Sequence, residues 1–147
     1  MSNKLNQWLI VSCVMVLLTI IGLNTGFLIE LFGMDKSFIA LGIVGVFVVC
    51  HFIIAKQITD FSAEVEVRLW FIAESMIAAG MVGTVVGFIM IFSEAFLALD
   101  VSNPETISGV LIDMAHGVGT ALVTTLVGLV CSFALKGELV FLSGEEL

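Results

Sequence analysis

The chain has 147 residues, 60% of them hydrophobic and 12% charged, with 13 acidic against five basic side chains and a net charge of −8. Soluble domains are about 45–50% apolar and about 25% charged, so an ordinary soluble enzyme, a disordered tail and a collagen-like fibre are excluded. So few Lys and Arg residues also exclude nucleic-acid binding, which needs a clustered basic surface.

The length suits one unit, a single membrane domain over residues 1–147. Charged residues divide it into uncharged runs at 5–29, 37–55, 75–93 and 117–135. Crossing about 30 Å of hydrocarbon takes about 20 helical residues. The runs are continuously apolar rather than alternating, which argues against a barrel. The expected fold is an all-α integral membrane protein with four transmembrane helices, at 6–29, 37–55, 72–98 and 106–135.

The first run has a weak positive flank in Lys4 and an apolar stretch over 8–21. No small-x-small cleavage site follows and the run is too long for a secretory signal, so a retained first span is expected. After the second span, Ile58, Phe61, Val65, Leu69, Ile72 and Met76 recur at helical steps. No Pro or Gly interrupts 55–79. A short cytoplasmic linker helix over 56–71 is predicted, starting near Thr59 and continuing into the third span. Asp100 to Pro104, with its Asn103-Pro104 turn signal, joins the last two spans. The pattern then runs past Lys136 into a cytoplasmic C-terminal extension over 136–147.

Lys4, Lys56, Arg68 and Lys136 fall on one side of this layout and Lys36 on the other. The bias predicts both termini in the cytoplasm, N-in/C-in. Trp8 and Trp70 lie at the same border, where indoles sit at headgroup level. Cys13, Cys50 and Cys131 lie inside spans and read as small hydrophobes, not a disulfide framework. His51 and His116 are expected at opposite faces, so no metal site is expected.

The first two spans read as scaffold helices. The last two carry small residues at helical spacing: Gly80, Gly83 and Gly87 in the third, Gly117, Thr120, Thr124 and Gly128 in the fourth. Such stripes let helices approach closely. Thr84 lies at the midpoint of its run and Thr125 next to the midpoint of its own, and the two are about equally far from the Asn103-Pro104 turn. Antiparallel helices therefore bring these hydroxyls to one depth, with Thr124 and Thr120 close by. A threonine among apolar helices can simply bond back to the carbonyl at i−4. Two at matched depth can also order water or pass an ion along, without the roughly 2.5–3.5 kcal/mol insertion cost of a central charge.

No acid or base lies at the middle of any span. Glu74 is placed at the cytoplasmic mouth. Glu94 and Asp113, with His116 one turn from Asp113, are placed at the outer mouth, either as solvated helix ends or as a cation-attracting vestibule. If ions pass, the titrating group arrives on another chain, which points to an obligate partner.

The third-helix string Gly80-Met-Val-Gly83-Thr84-Val-Val-Gly87-Phe-Ile-Met90 and the fourth-helix string Gly117-Val-Gly-Thr120-Ala-Leu-Val-Thr124-Thr125-Leu-Val-Gly128-Leu129 resemble the motifs of the MotA/TolQ/ExbB proton channel family. The layout is most similar to the flagellar stator branch. The resemblance covers 75–135 well and the first two spans by layout alone. It implies a pore-lining hairpin from helices three and four, and a homopentamer around a dimer of a single-span MotB/ExbD/TolR-like protein. It also implies a transmembrane aspartate on that partner and a multi-pass position in the bacterial inner (cytoplasmic) membrane. The implied work is rotary, driven by proton or sodium motive force, with Thr84 and Thr125 as pore threonines. The chain departs from the stator branch in having about 20 residues where that branch has a large cytoplasmic domain, which argues against flagellar torque. It departs from the ExbB/TolQ branch in carrying Thr120 where a glutamate is common.

Two other readings stay open: a small four-span dimeric transporter, and an accessory structural membrane subunit. The residues do not choose between proton and sodium, nor between motility, envelope energy transfer and defence. Covalent catalysis has no support: no nucleophile–base set or phosphate loop stands out, and no cofactor is expected beyond the transported ion.

Overall fold

A computed structural model describes residues 2–35, 37–58, 62–98 and 104–143. Five helices follow in chain order: α1 Ser2–Asn24, α2 Phe27–Met34, α3 Ile39–Gln57, α4 Ala63–Ala98 and α5 Pro104–Ser143. No strand occurs among the described residues. Three helical stretches are long and apolar enough to cross a membrane: Ile39–Gln57, Ala63–Ser93 and Thr106–Leu142. The pair Trp8–Asn24 and Phe27–Gly33 makes a fourth if counted as one bent span.

The uncharged run 5–29 is therefore not one straight helix. It bends by 78° between Trp8–Asn24 and Phe27–Gly33. Gly26 takes a left-handed φ of 73°, a region open to glycine at little cost. The Thr25 hydroxyl donates to the Ile21 carbonyl at 3.0 Å, closing the last turn of α1. Leu28 of α2 then folds back over Gly22, where a Cβ would lie 2.8 Å from the Leu28 Cγ.

Asp35 joins α2 to α3. Its Oδ1 accepts from the Ser37 N–H at 3.0 Å and the Ser37 hydroxyl at 2.6 Å, and its Oδ2 accepts from the Ala40 N–H at 2.9 Å. These bonds satisfy donors that the first turn of α3 leaves open. They also hold Phe38, which enters α3 with a left-handed φ of 57° that a bulky residue rarely adopts.

Most described residues of the predicted linker belong to α3 or to α4. Residues 56–57 end α3, and 63–71 are the first turns of α4. The start predicted near Thr59 lies outside the described residues, as do 99–101 and most of the predicted turn. At 36 and 40 residues, α4 and α5 are about 54 and 60 Å long. Both exceed a hydrocarbon layer of about 30 Å.

Helices α4 and α5 form an antiparallel hairpin, with Met76 beside Gly128, Gly80 beside Thr124 and Gly87 beside Ala121. Helix α3 lies against both, and α1 and α2 flank α5. The core gathers at the end where α3 finishes, α4 begins and α5 finishes. It holds Ile54 from α3 and Ile58 just past its end, Leu69 and Ala73 from α4, and Leu135, Leu139 and Leu142 from α5. The outer faces stay apolar: Ile10 and Leu18 on α1, Val82 and Val85 on α4, and Leu122 and Phe133 on α5 are all exposed. A soluble monomer rarely exposes so much contiguous apolar surface, so lipid or another chain covers these faces.

Candidate functional site

The middle of the hairpin is built by close approach. A Cβ on Gly80 would lie 2.9 Å from the Thr124 carbonyl oxygen, and one on Gly128 would lie 2.7 Å from the Met76 carbonyl oxygen. Neither oxygen can yield without moving a helix. Gly83 faces the Thr124 side chain, and a Cβ on Gly117 would collide with Ile91. The five glycines read as packing positions are thus not equivalent. Gly80 and Gly128 meet backbone, Gly83 and Gly117 meet side chains, and Gly87 meets Ala121.

This approach brings Thr84 and Thr125 into hydrogen-bond contact through their hydroxyls. Each hydroxyl also reaches two carbonyls. Thr84 donates to Gly80 at 3.1 Å or to Ala121 at 3.2 Å. Thr125 reaches the same pair, Gly80 at 3.3 Å and Ala121 at 3.4 Å. The two threonine oxygens and the two carbonyls share the two threonine hydroxyl protons, with Thr124 also donating to Ala121, and several donor patterns fit one geometry. Such a cluster can accept a proton or a water at one oxygen and release one at another. Both threonines are half-buried, so the cluster opens to one side of the hairpin. Thr124 differs: it is fully buried and bonds back to the Ala121 carbonyl at 3.0 Å, a local helix contact. The side chain of Thr120 lies outside the described residues.

The flanking acids divide. Glu74 pairs with Lys136 at 3.8 Å, and Lys136 also sits 5.2 Å from the centroid of the Trp70 ring. Glu74 is thus a partner for α5 at the start of the hairpin. Asp113 and His116 are exposed on α5, and the side chain of Glu94 lies outside the described residues.

A second polar cluster was not foreseen. Glu138, in the stretch read as a cytoplasmic extension, is 2% exposed. His51 Nδ1 lies 2.8 Å from its Oε1, and Ser12 Oγ lies 3.3 Å from the other ring nitrogen. Trp8 stacks on the imidazole with centroids 5.2 Å apart. Three helices thus converge on one histidine. The usable signal was position on α5: residues 124, 131 and 138 recur every two turns on one buried face. No group of three or more His, Cys, Asp or Glu side chains that could hold a metal ion occurs among the described residues. Compared with protein-family models, with curated proteins and with solved structures, the chain matches none.

Proposed function

We propose that this chain is the channel-forming subunit of an ion-driven, rotary membrane motor. The carrying observation is the Thr84–Thr125 hydroxyl pair, set between Gly80 and Gly128 and sharing the Gly80 and Ala121 carbonyls. The seam is neutral, polar and open on one side, so it suits an ion whose titrating group comes from a neighbouring chain. In this reading the protein lies multi-pass in a bacterial inner membrane with both termini in the cytoplasm. Five copies surround two copies of a single-span protein carrying a transmembrane aspartate, as the resemblance to the MotA/TolQ/ExbB family suggests. The exposed apolar faces of α4 and α5 support burial against lipid and neighbouring copies.

Native mass spectrometry of the complex taken from its host membrane tests this. Each chain weighs 15.8 kDa. Five copies, about 79 kDa, together with two copies of a single-span protein are expected. A dimer with nothing else bound would overturn the reading in favour of a small transporter.

One observation favours an accessory structural subunit. Each threonine also bonds to its own i−4 carbonyl, as packing alone would produce. Replacing both hydroxyls by methyl groups separates the two readings.

A further inference from the structure

The His51–Glu138 cluster has no part in the proposed ion seam and no purely packing rationale. An acid 1% exposed at its side chain needs a partner, and the one supplied is a histidine whose side chain is 21% exposed. A lysine or arginine would make a permanent pair. A histidine makes one that exists only when a proton is bound.

The surroundings accommodate the pair with and without that proton. With its proton on Nδ1, the neutral ring donates to Glu138 Oε1 across the 2.8 Å contact, and so does the imidazolium. The other nitrogen faces the Ser12 hydroxyl at 3.3 Å. A hydroxyl donates to the neutral ring and accepts from the imidazolium, so one geometry serves both. Trp8, stacked at 5.2 Å, offers a π-face to the charged ring. The Glu138 Oε2 is buried and has no hydrogen-bond partner among the described residues.

We infer that His51 and Glu138 form a proton-binding site, with the partly exposed imidazole as its entry and the buried carboxylate as its counter-charge. The proton adds at Nε2 and converts imidazole and carboxylate, together −1, into a neutral ion pair. Release reverses this, and no covalent bond is made or broken apart from N–H.

Among the described residues, His51 on α3 is the titratable group acting on Glu138, and Glu138 in turn acts on Cys50 of the same helix as His51. Helix α1 brings Trp8 and Ser12. From α4, Glu74 is engaged by Lys136, two residues before Glu138 and so turned away from it on α5. Placing the site in series with the Thr84–Thr125 seam rests on the channel reading above; proton binding itself does not.

The test is nuclear magnetic resonance of the full chain in lipid nanodiscs, with 15N in the histidine rings and 13C in the glutamate carboxyls. His51 is assigned by its loss in H51Q. Between about pH 9 and about pH 5, the His51 ring is expected to become imidazolium while Glu138 keeps a carboxylate signal, both responding at one midpoint. E138Q should bind this proton more weakly, moving the midpoint to lower pH. E138D, which keeps the charge but withdraws it, should fall between and serves if E138Q does not fold. A ring that stays neutral throughout, or an unchanged midpoint in the Glu138 variants, would overturn the proposal. Neither readout needs ion flow or a partner chain, so failure here leaves the channel reading standing, and failure of that reading leaves this one.

Discussion

The seam between α4 and α5 and the cluster around His51 both put polar groups among apolar helices, by opposite means. In the seam, glycines bring two backbones together, and two hydroxyls are satisfied by each other and by the Gly80 and Ala121 carbonyls. Nothing there is charged, and every partner lies on one hairpin. Around His51, the partners come from α1, α3 and α5, and the central contact joins residues 87 positions apart. That cluster includes a buried acid whose second oxygen lacks a hydrogen-bond partner among the described residues. The seam's hydroxyls can change their donor pattern with no change in charge. The His51 cluster is able to change charge, and its stability depends on its partner. Each property can be broken separately.

The largest effect is expected from H51A. It strands the Glu138 carboxylate without its partner, and breaking a buried pair costs about 3–5 kcal/mol. Thermal unfolding in detergent should show this loss at neutral pH. H51A/E138L, which removes the acid as well, should recover most of it. Equal stability of H51A and wild type would show that the pair carries no buried charge.

Next comes the seam's close approach. In G128A the new methyl meets the Met76 carbonyl, and overpacking of this kind costs about 1–3 kcal/mol. G137A is the control, since a Cβ there meets nothing within 4 Å. It should leave stability unchanged or raise it by up to about 1 kcal/mol. If G128A matches G137A, the helices are farther apart than described.

A smaller loss, about 1 kcal/mol, is expected from D35A, which removes the cap on α3. Hydrogen exchange should rise at Ala40 and the first turn of α3 while the α4–α5 seam stays protected. A loss spread evenly over both regions would mean that the cap and the hairpin unfold together.

The two regions also differ in how far the sequence exposes them. Long uncharged runs mark α3, α4 and α5, because a membrane-length helix has to be apolar over most of its length. Thr84 and Thr125 could be paired because both sit equally far from one turn, and their neighbours are glycines at helical spacing. The bend in 5–29 falls at Asn24-Thr25-Gly26, a polar break that the uncharged length of the run outweighed. Nothing in the sequence marks Asp35 as a cap, and only the fold shows it spanning to Ala40. His51 and Glu138 lie on helices whose rotation about their axes no local pattern determines. Glu138 sits among charged neighbours, Lys136 before it and Glu145 and Glu146 after it, so its stretch read as solvated.

The most direct test of the central claim is ion flux through the seam. The chain and its co-purified single-span partner would be reconstituted in liposomes, and proton or sodium entry under an imposed gradient compared for wild type, T84S/T125S and T84V/T125V. Replacing both hydrogen-bonding partners by apolar groups of the same shape is nearly neutral for packing, so all three should assemble alike by native mass spectrometry. The account predicts flux in wild type and in the serine variant, and none in the valine variant. Wild-type flux through an intact T84V/T125V assembly would contradict it and leave the threonines as packing residues.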